Sequence, residues 1–185
     1  NHHGEHVAVR DGVNSISEEL FRLLRTNIGI MLHMSQKNPV ILVTSSINGE
    51  GKSYVATNLA ISLSLLNKKV ALVGLDIRKP MLAQYLNLSS EGCLTSYLAD
   101  ESYSVDDLVL HSEFSNLGIL PAGIIPPNPN ELLQSERLDT LFSELRKQYD
   151  YIIVDSAPVA LVSDTFQLGR IADMTIYVSR ARYTT

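Results

Sequence analysis

Lys52 and Ser53 are the residues of this chain best placed to do chemistry. They close the run Ser45-Ser46-Ile47-Asn48-Gly49-Glu50-Gly51-Lys52-Ser53, in which two glycines precede a cation and a hydroxyl. Such a run binds phosphate. Gly49 and Gly51 let the backbone curl so that successive N–H groups turn toward an anion. Lys52 brings a mobile positive charge to the outer phosphates, and Ser53 a hydroxyl for Mg²⁺. The strict pattern has glycine where Ser46 stands, so this is its relaxed form. Asn48 and Glu50 fill the loop, and Tyr54 and Arg78 complete the candidate nucleotide-binding set with Asn48, Gly49, Glu50, Gly51, Lys52 and Ser53. Two carboxylates stand at the ends of apolar runs. Asp155 ends Tyr151-Ile152-Ile153-Val154, where a phosphate-loop protein holds Mg²⁺, often through water. Asp76 follows Val70–Leu75 and either looks across at the loop or simply sits in a polar loop or caps the next helix; position alone leaves both readings open.

The elements that must carry these residues follow from periodicity. Val40–Val43 is a buried strand, and a helix from Lys52 to about Asn67 buries Val55, Leu59, Leu63 and Leu66. Val70–Leu75 is a second all-apolar strand, so the unit is βαβ and the sheet parallel with a right-handed crossover. The positive end of the helix adds to the field at the loop. Upstream, Ser15 and Glu18 form a capping box that opens a helix to about Met34. Its stripe of Leu20, Leu23, Leu24, Ile30, Met31 and Met34 is expected to face a core. Glu19, Arg22 and Arg25 lie off that stripe and read as a solvated face. Downstream, short helices are expected at 81–86, 94–98 and 105–110, and a strand at 117–120. A helix from Asn128 to about Gln148 has Asn at the N-cap, Pro129 at N1 and Glu131 at N3. A helix at 165–171 begins near Asp164, and Met174–Val178 is expected as a fifth buried strand. The expected fold is α/β: a doubly wound, mainly parallel sheet of the phosphate-loop NTPase type, flanked by helices.

Composition narrows the function. The chain has 185 residues, 45% apolar and 19% charged, with net charge −5, which gives no broad basic surface and no reason to expect nucleic acid as a partner. A single cysteine, Cys93, excludes an intrachain disulfide and reads as a small buried hydrophobe. No apolar stretch reaches the length of a membrane span. The opening Asn1-His2-His3-Gly4 lacks a methionine, and no helix follows the last strand, so the chain reads as a piece of something longer. His2, His3 and His6 read as a tail rather than metal ligands. Residues 1–14 are a flexible lead-in and 15–185 one domain.

Three stretches together resemble the bacterial tyrosine kinases of capsular and exopolysaccharide export, the BY-kinases: SSINGEGKS at 45–53, LVGLDIRKP at 72–80 and YIIVDSAPV at 151–159. AGIIPPNPNELL at 122–133 resembles the family's loop before its long helix. Glu19-x-x-Arg22-x-x-Arg25 matches the family's oligomerisation motif, which packs subunits into a ring. The resemblance implies ATP and Mg²⁺ as cofactors, with Lys52 gripping phosphates, Ser53, Asp76 and Asp155 serving the metal, and Asp76 helping to activate an incoming tyrosine. It also implies autophosphorylation on the tyrosine-rich tail of a neighbour. The implied setting is the cytoplasmic face of the bacterial inner membrane, fused or bound to a membrane chain-length regulator. The sequence departs from the family at Gly74, where Asp-x-Asp is common, and at Ala157, where proline is usual. The tyrosine-rich tail is absent, and Tyr183 is the one tyrosine beyond the last strand. Two other functions compete: a partitioning or division-site ATPase switch, whose extra loop lysine is replaced here by Ile47, and an ATP-binding scaffold weakened by Gly74.

Overall fold

The computed structural model describes residues 7–9, 15–32, 37–77, 79–88, 93–159 and 168–181. Strands β1 (Val40–Ser45), β2 (Val70–Gly74), β3 (Leu110–His111), β4 (Leu117–Leu120), β5 (Tyr151–Asp155) and β6 (Met174–Val178) form one sheet in the order β3-β4-β2-β5-β1-β6. Its pairings are parallel except β3 with β4. The all-apolar runs are covered on both faces, and successive side chains alternate between two cores. Val40, Leu42, Ile152 and Val154 face the side covered by α4 (Leu94–Ala99), α5 (Pro129–Gln134) and α6 (Glu136–Gln148). Ile41, Val43 and Ile153 face the side covered by α1 (Ile16–Met31) and α2 (Lys52–Ser64).

Several expectations are corrected. Residues 105–108 form a turn rather than a helix, because Asp107 turns back to accept hydrogen bonds from the Ser104 N–H and hydroxyl. The chain then enters β3, antiparallel to β4. The helix from Asn128 breaks at Ser135, whose ψ of 147° is extended and whose hydroxyl donates to the Leu132 carbonyl. Pro129 does occupy its first position, but Asn128 spends its side chain on Glu131 rather than on a backbone cap. The strand at 174–178 is the sixth, on the sheet edge, and alternates half-buried with exposed residues. In α2, Leu66 lies past the helix end and is exposed.

The largest correction concerns α1. Ser15 caps α1 as expected, accepting from the Glu18 N–H, but the helix buries Glu18, Phe21 and Ile28. Of its expected stripe Leu24 is half-buried against the core, while the rest of its described residues are exposed. Ile16, Leu20, Leu23, Ile30 and Met31 are between 59% and 84% exposed. Residues 18, 21, 25 and 28 have the three-and-four spacing of a packing seam of their own. On it the Phe21 ring meets the Tyr54 ring at 6.0 Å, and Arg25 donates to the carbonyl and hydroxyl oxygens of Ser62 at 2.8 and 3.0 Å. Met34 lies outside the described residues.

Cys93 is buried as expected. Gly123, at φ +91°, makes room for it: an added Cβ would stand 2.1 Å from that of Cys93.

Candidate nucleotide and phosphoryl-transfer site

β1 delivers the loop 45–53 beyond the carboxyl end of the sheet, where open α/β folds bind ligands. Gly49 and Gly51 have φ of 87° and 95°, the left-handed region that their place in the motif requires. Gly51 caps α2, and the Val55 N–H donates back to its carbonyl. Ser46 has no left-handed φ, so the relaxed motif needs no glycine there for backbone reasons.

Side chains brace the loop from inside. The Ser45 hydroxyl donates to the Ile47 carbonyl at 2.8 Å, and the Ile47 N–H donates to Glu50 Oε2 at 3.0 Å. Glu50 is buried. It is a strut rather than filler, and no residue-type rule distinguishes the two in the sequence. Tyr177 on β6 shares a hydrogen bond with the Ser46 hydroxyl.

β2 and β5 are neighbours, with Gly74 opposite Asp155. Their pairing continues past the strand ends, where the N–H groups of Leu75 and Asp76 both donate to the Asp155 carbonyl. This brings Asp76 and Asp155 together, both buried. Lys52 Nζ stands 2.9 Å from Asp76 Oδ2 and 3.9 Å from Asp155 Oδ1. The Ser53 hydroxyl donates to Asp155 Oδ2 at 2.7 Å. Asp76 does both things its position allowed: it faces the loop lysine, and it accepts the Lys79 N–H to hold its own loop.

Burial pushes the Asp155 carboxyl up to about 6, with Lys52 and the Ser53 hydroxyl opposing and Asp76 adding to the rise. Its Oδ1 atom is buried without a hydrogen-bond partner. A carboxylate held dry beside a hydroxyl and a second carboxylate is a hard oxygen donor set, and it fits Mg²⁺.

The remaining candidates are distributed unevenly. A cleft of about 130 Å³ beside the loop is walled by Asn48, Gly49, Lys52, Lys79, Met81 and Tyr85. The Tyr54 ring turns away toward α1, which leaves its main-chain N–H as its route to a phosphate. Arg78 lies outside the described residues. Tyr85, on α3 (Leu82–Tyr85), was not legible as a site residue; burial and the nearby Asp155 raise its phenol above the usual value, partly offset by Lys52. A second cleft of about 380 Å³ adjoins, floored by Gly74 and reaching Asp76 and Asp155. A Cβ at Gly74 would stand 3.1 Å from both the Ala122 nitrogen and Leu82 Cδ1. Of the expected oligomerisation motif, Glu19 and Arg22 are exposed and half-exposed and pair with each other, Arg22 also with Glu18, while Arg25 turns inward to Ser62.

A family profile described as an AAA domain matches residues 38–183. Tyrosine-protein kinase YwqD of Bacillus subtilis is 37% identical over 164 residues, covering 89% of this chain and 68% of that one. The kinase domain of Escherichia coli tyrosine kinase ETK superposes with a TM-score of 0.86 at 28% identity, over 91% of this chain and 65% of that one. The chain spans 22% of a longer relative, tyrosine-protein kinase wzc of Salmonella typhimurium, at 32% identity. The septum site-determining protein MinD of Pyrococcus horikoshii, complexed with Mg-ADP, shares the fold at a TM-score of 0.65 and 24% identity. The chain belongs to the AAA domain family and, within it, to the bacterial tyrosine-protein kinases.

Proposed function

We propose that this domain moves the γ-phosphoryl of ATP onto tyrosine hydroxyls of neighbouring copies of itself. The observation that carries the reading is Lys52, a buried cation reaching two buried carboxylates at the mouth of a phosphate loop. Phosphoryl transfer needs positioning and charge neutralisation more than covalent help. Lys52 and the loop N–H groups would orient the phosphates. Ser53, Asp155 and Asp76 would hold Mg²⁺, which supplies charge neutralisation when bound. A tyrosine side chain would reach Asp76 through the cleft floored by Gly74, and that carboxylate would take the phenol proton. Gly74 can neither ligate nor accept a proton, so Asp76 carries that role alone.

The exposed stripe Ile16, Leu20, Leu23, Ile30 and Met31 supports self-assembly, since contiguous exposed apolar surface of this kind marks an interaction face. Glu19 and Arg22 flank it, as the family's ring motif would require. By the same resemblance the domain works at the cytoplasmic face of the bacterial inner membrane, with a membrane chain-length regulator, in polysaccharide synthesis and export. No helix among the described residues is long and apolar enough to cross a membrane.

Phosphotyrosine formation with Mg·ATP in the full-length protein, beside a Lys52→Met copy, tests the reading. Lys52-dependent phosphotyrosine supports it. ATP binding without phosphotyrosine at any protein concentration favours the scaffold that Gly74 suggests, and nucleotide-gated dimerisation with slow hydrolysis favours the ATPase switch.

A further inference from the structure

We infer that Tyr177 is a positioning residue for the phosphate loop, acting through Ser46. The two lie 131 positions apart and share a hydrogen bond between hydroxyls. β6 pairs in parallel with β1, Thr44 opposite Tyr177 and Ser45 opposite Val178, so the tyrosine stands beside the point where β1 gives way to the loop. Ser46 is the first loop residue past β1 and the position at which the strict motif has glycine. Its conformation does not demand glycine. What the serine adds is a hydroxyl, and Tyr177 is where that hydroxyl goes.

The other two braces, Ser45 to the Ile47 carbonyl and Glu50 to the Ile47 N–H, tie the loop to itself. The Tyr177 bond ties it to the sheet. Tyr177 is 54% exposed, so burial holds its ring only in part, and the hydroxyl contact adds to what orients it. A loop that binds phosphates through N–H groups gains from being ordered before the ligand arrives. Losing the tether therefore weakens every phosphate ligand by a similar factor, whatever the rest of that ligand contains. This rests on the phosphate-binding reading of the loop.

The test measures dissociation constants of Mg·ATP and of inorganic tripolyphosphate for the unaltered protein, Tyr177→Phe, Ser46→Ala and the double variant. Each single change is expected to weaken both ligands by about three- to tenfold, the worth of one hydrogen bond. The double variant is expected to be no weaker than the worse single one, the sign of a shared contact. Ser46→Gly is expected to behave like Ser46→Ala and to become indifferent to Tyr177→Phe. Unchanged affinity in Tyr177→Phe overturns the inference, as do factors that multiply in the double variant. Loss for ATP without loss for tripolyphosphate also overturns it, since that is the mark of a tyrosine contacting the base. An unaltered protein that binds neither ligand sinks the phosphate-loop reading itself.

Discussion

Two helices packed against each other, α1 and α2, use their residues in opposite ways. Of the 13 residues of α2, 11 are buried, among them Lys52, Ser53, Thr57, Asn58, Ser62 and Ser64. Of the 16 residues of α1, three are buried, and one of those is a glutamate. α2 lies between the sheet and α1, and Asn58 accepts the N–H groups of Ala8 and Val9, so it is enclosed on every side. α1 is amphipathic yet turns its mixed face inward and most of its apolar stripe outward, Leu24 excepted. The difference shows what each helix answers to. α2 is packed within this chain almost throughout, although the buried Thr57 hydroxyl has no hydrogen-bond partner among the described residues, whereas Leu20, Leu23, Ile30 and Met31 of the α1 stripe stay exposed. The first region should fail chemically when altered, the second socially.

Lys52→Met should produce the largest effect. Without the lysine the buried Asp76 and Asp155 lose the cation between them, and bound phosphates would lose theirs. Phosphotyrosine formation should fall at least ~100-fold, by analogy with removal of a preorganised electrostatic partner. Breaking a buried pair costs about 3–5 kcal/mol, so the thermal unfolding of the variant must be recorded beside its activity. Retained activity would remove Lys52 from the machinery.

Next comes the outer face of α1. Replacing Leu23 and Ile30 together by Glu should leave unfolding within about 0.5 kcal/mol for each site, since both side chains are exposed in the single chain. Sedimentation should nevertheless show assembly lost and transfer between copies lost with it. Leu59→Glu on α2, at a position with no exposure, should instead prevent folding. If the α1 double variant unfolds while Leu59→Glu does not, the contrast between the helices is reversed.

Asp155→Asn separates stability from function within the buried region. The folded carboxyl sits near 6, above its ordinary value of 3.8, because burial disfavours its charge. The folded chain therefore binds that proton more tightly than the unfolded one. The group's favourable contribution is complete below the ordinary value and is lost as pH rises through about 6. At pH 7.5 the asparagine variant should be more stable without nucleotide by about 1–2 kcal/mol, or ~4 °C in Tm for a domain of this size. The advantage should shrink toward pH 5. Mg²⁺-dependent nucleotide affinity should be lost at both pH values. A variant less stable than its parent at pH 7.5 would mean that the Ser53 and Lys52 contacts outweigh burial.

The same contrast explains what was legible in the sequence. Strands β1, β2, β4 and β5 announce themselves as apolar runs, and Gly49, Gly51, Lys52 and Ser53 have roles tied to residue type. Asp155 could be placed because it ends such a run. The face of α1 could not be read. Periodicity reports that a helix has an apolar stripe and is silent on whether the cover belongs to the same molecule, and here two Arg25 hydrogen bonds and the Phe21 ring outweighed the leucines. The turn at 105–108 was lost to a side-chain contact between Ser104 and Asp107. Glu50 stood in the candidate set and only its bracing of Ile47 went unread, whereas Tyr85 and Tyr177 lay outside that set for a common reason. Each comes beside the loop only through the fold, and nothing in spacing along the chain points to it.

Arg25→Ala is the smallest change and the one that sharpens the comparison most. The family motif assigns Arg25 to contacts between subunits, whereas here its guanidinium donates to the Ser62 carbonyl and hydroxyl of its own chain. If the inward role is the whole of it, the alanine variant loses about 1–2 kcal/mol of stability, the worth of charged hydrogen bonds at a half-buried site. It should then assemble normally once its concentration of folded protein is matched to the parent. A double-mutant cycle with Ser62→Ala should show most of that loss shared, leaving the backbone bond as the remainder. If assembly falls while unfolding is unchanged, Arg25 leaves Ser62 for a neighbouring subunit, and the seam of α1 is remade when copies meet. The two outcomes differ in one respect that matters for mechanism. In the first, α1 is a fixed platform whose leucines wait for a partner; in the second, assembly loosens α1 from α2 and reaches the helix that carries Lys52 and Ser53.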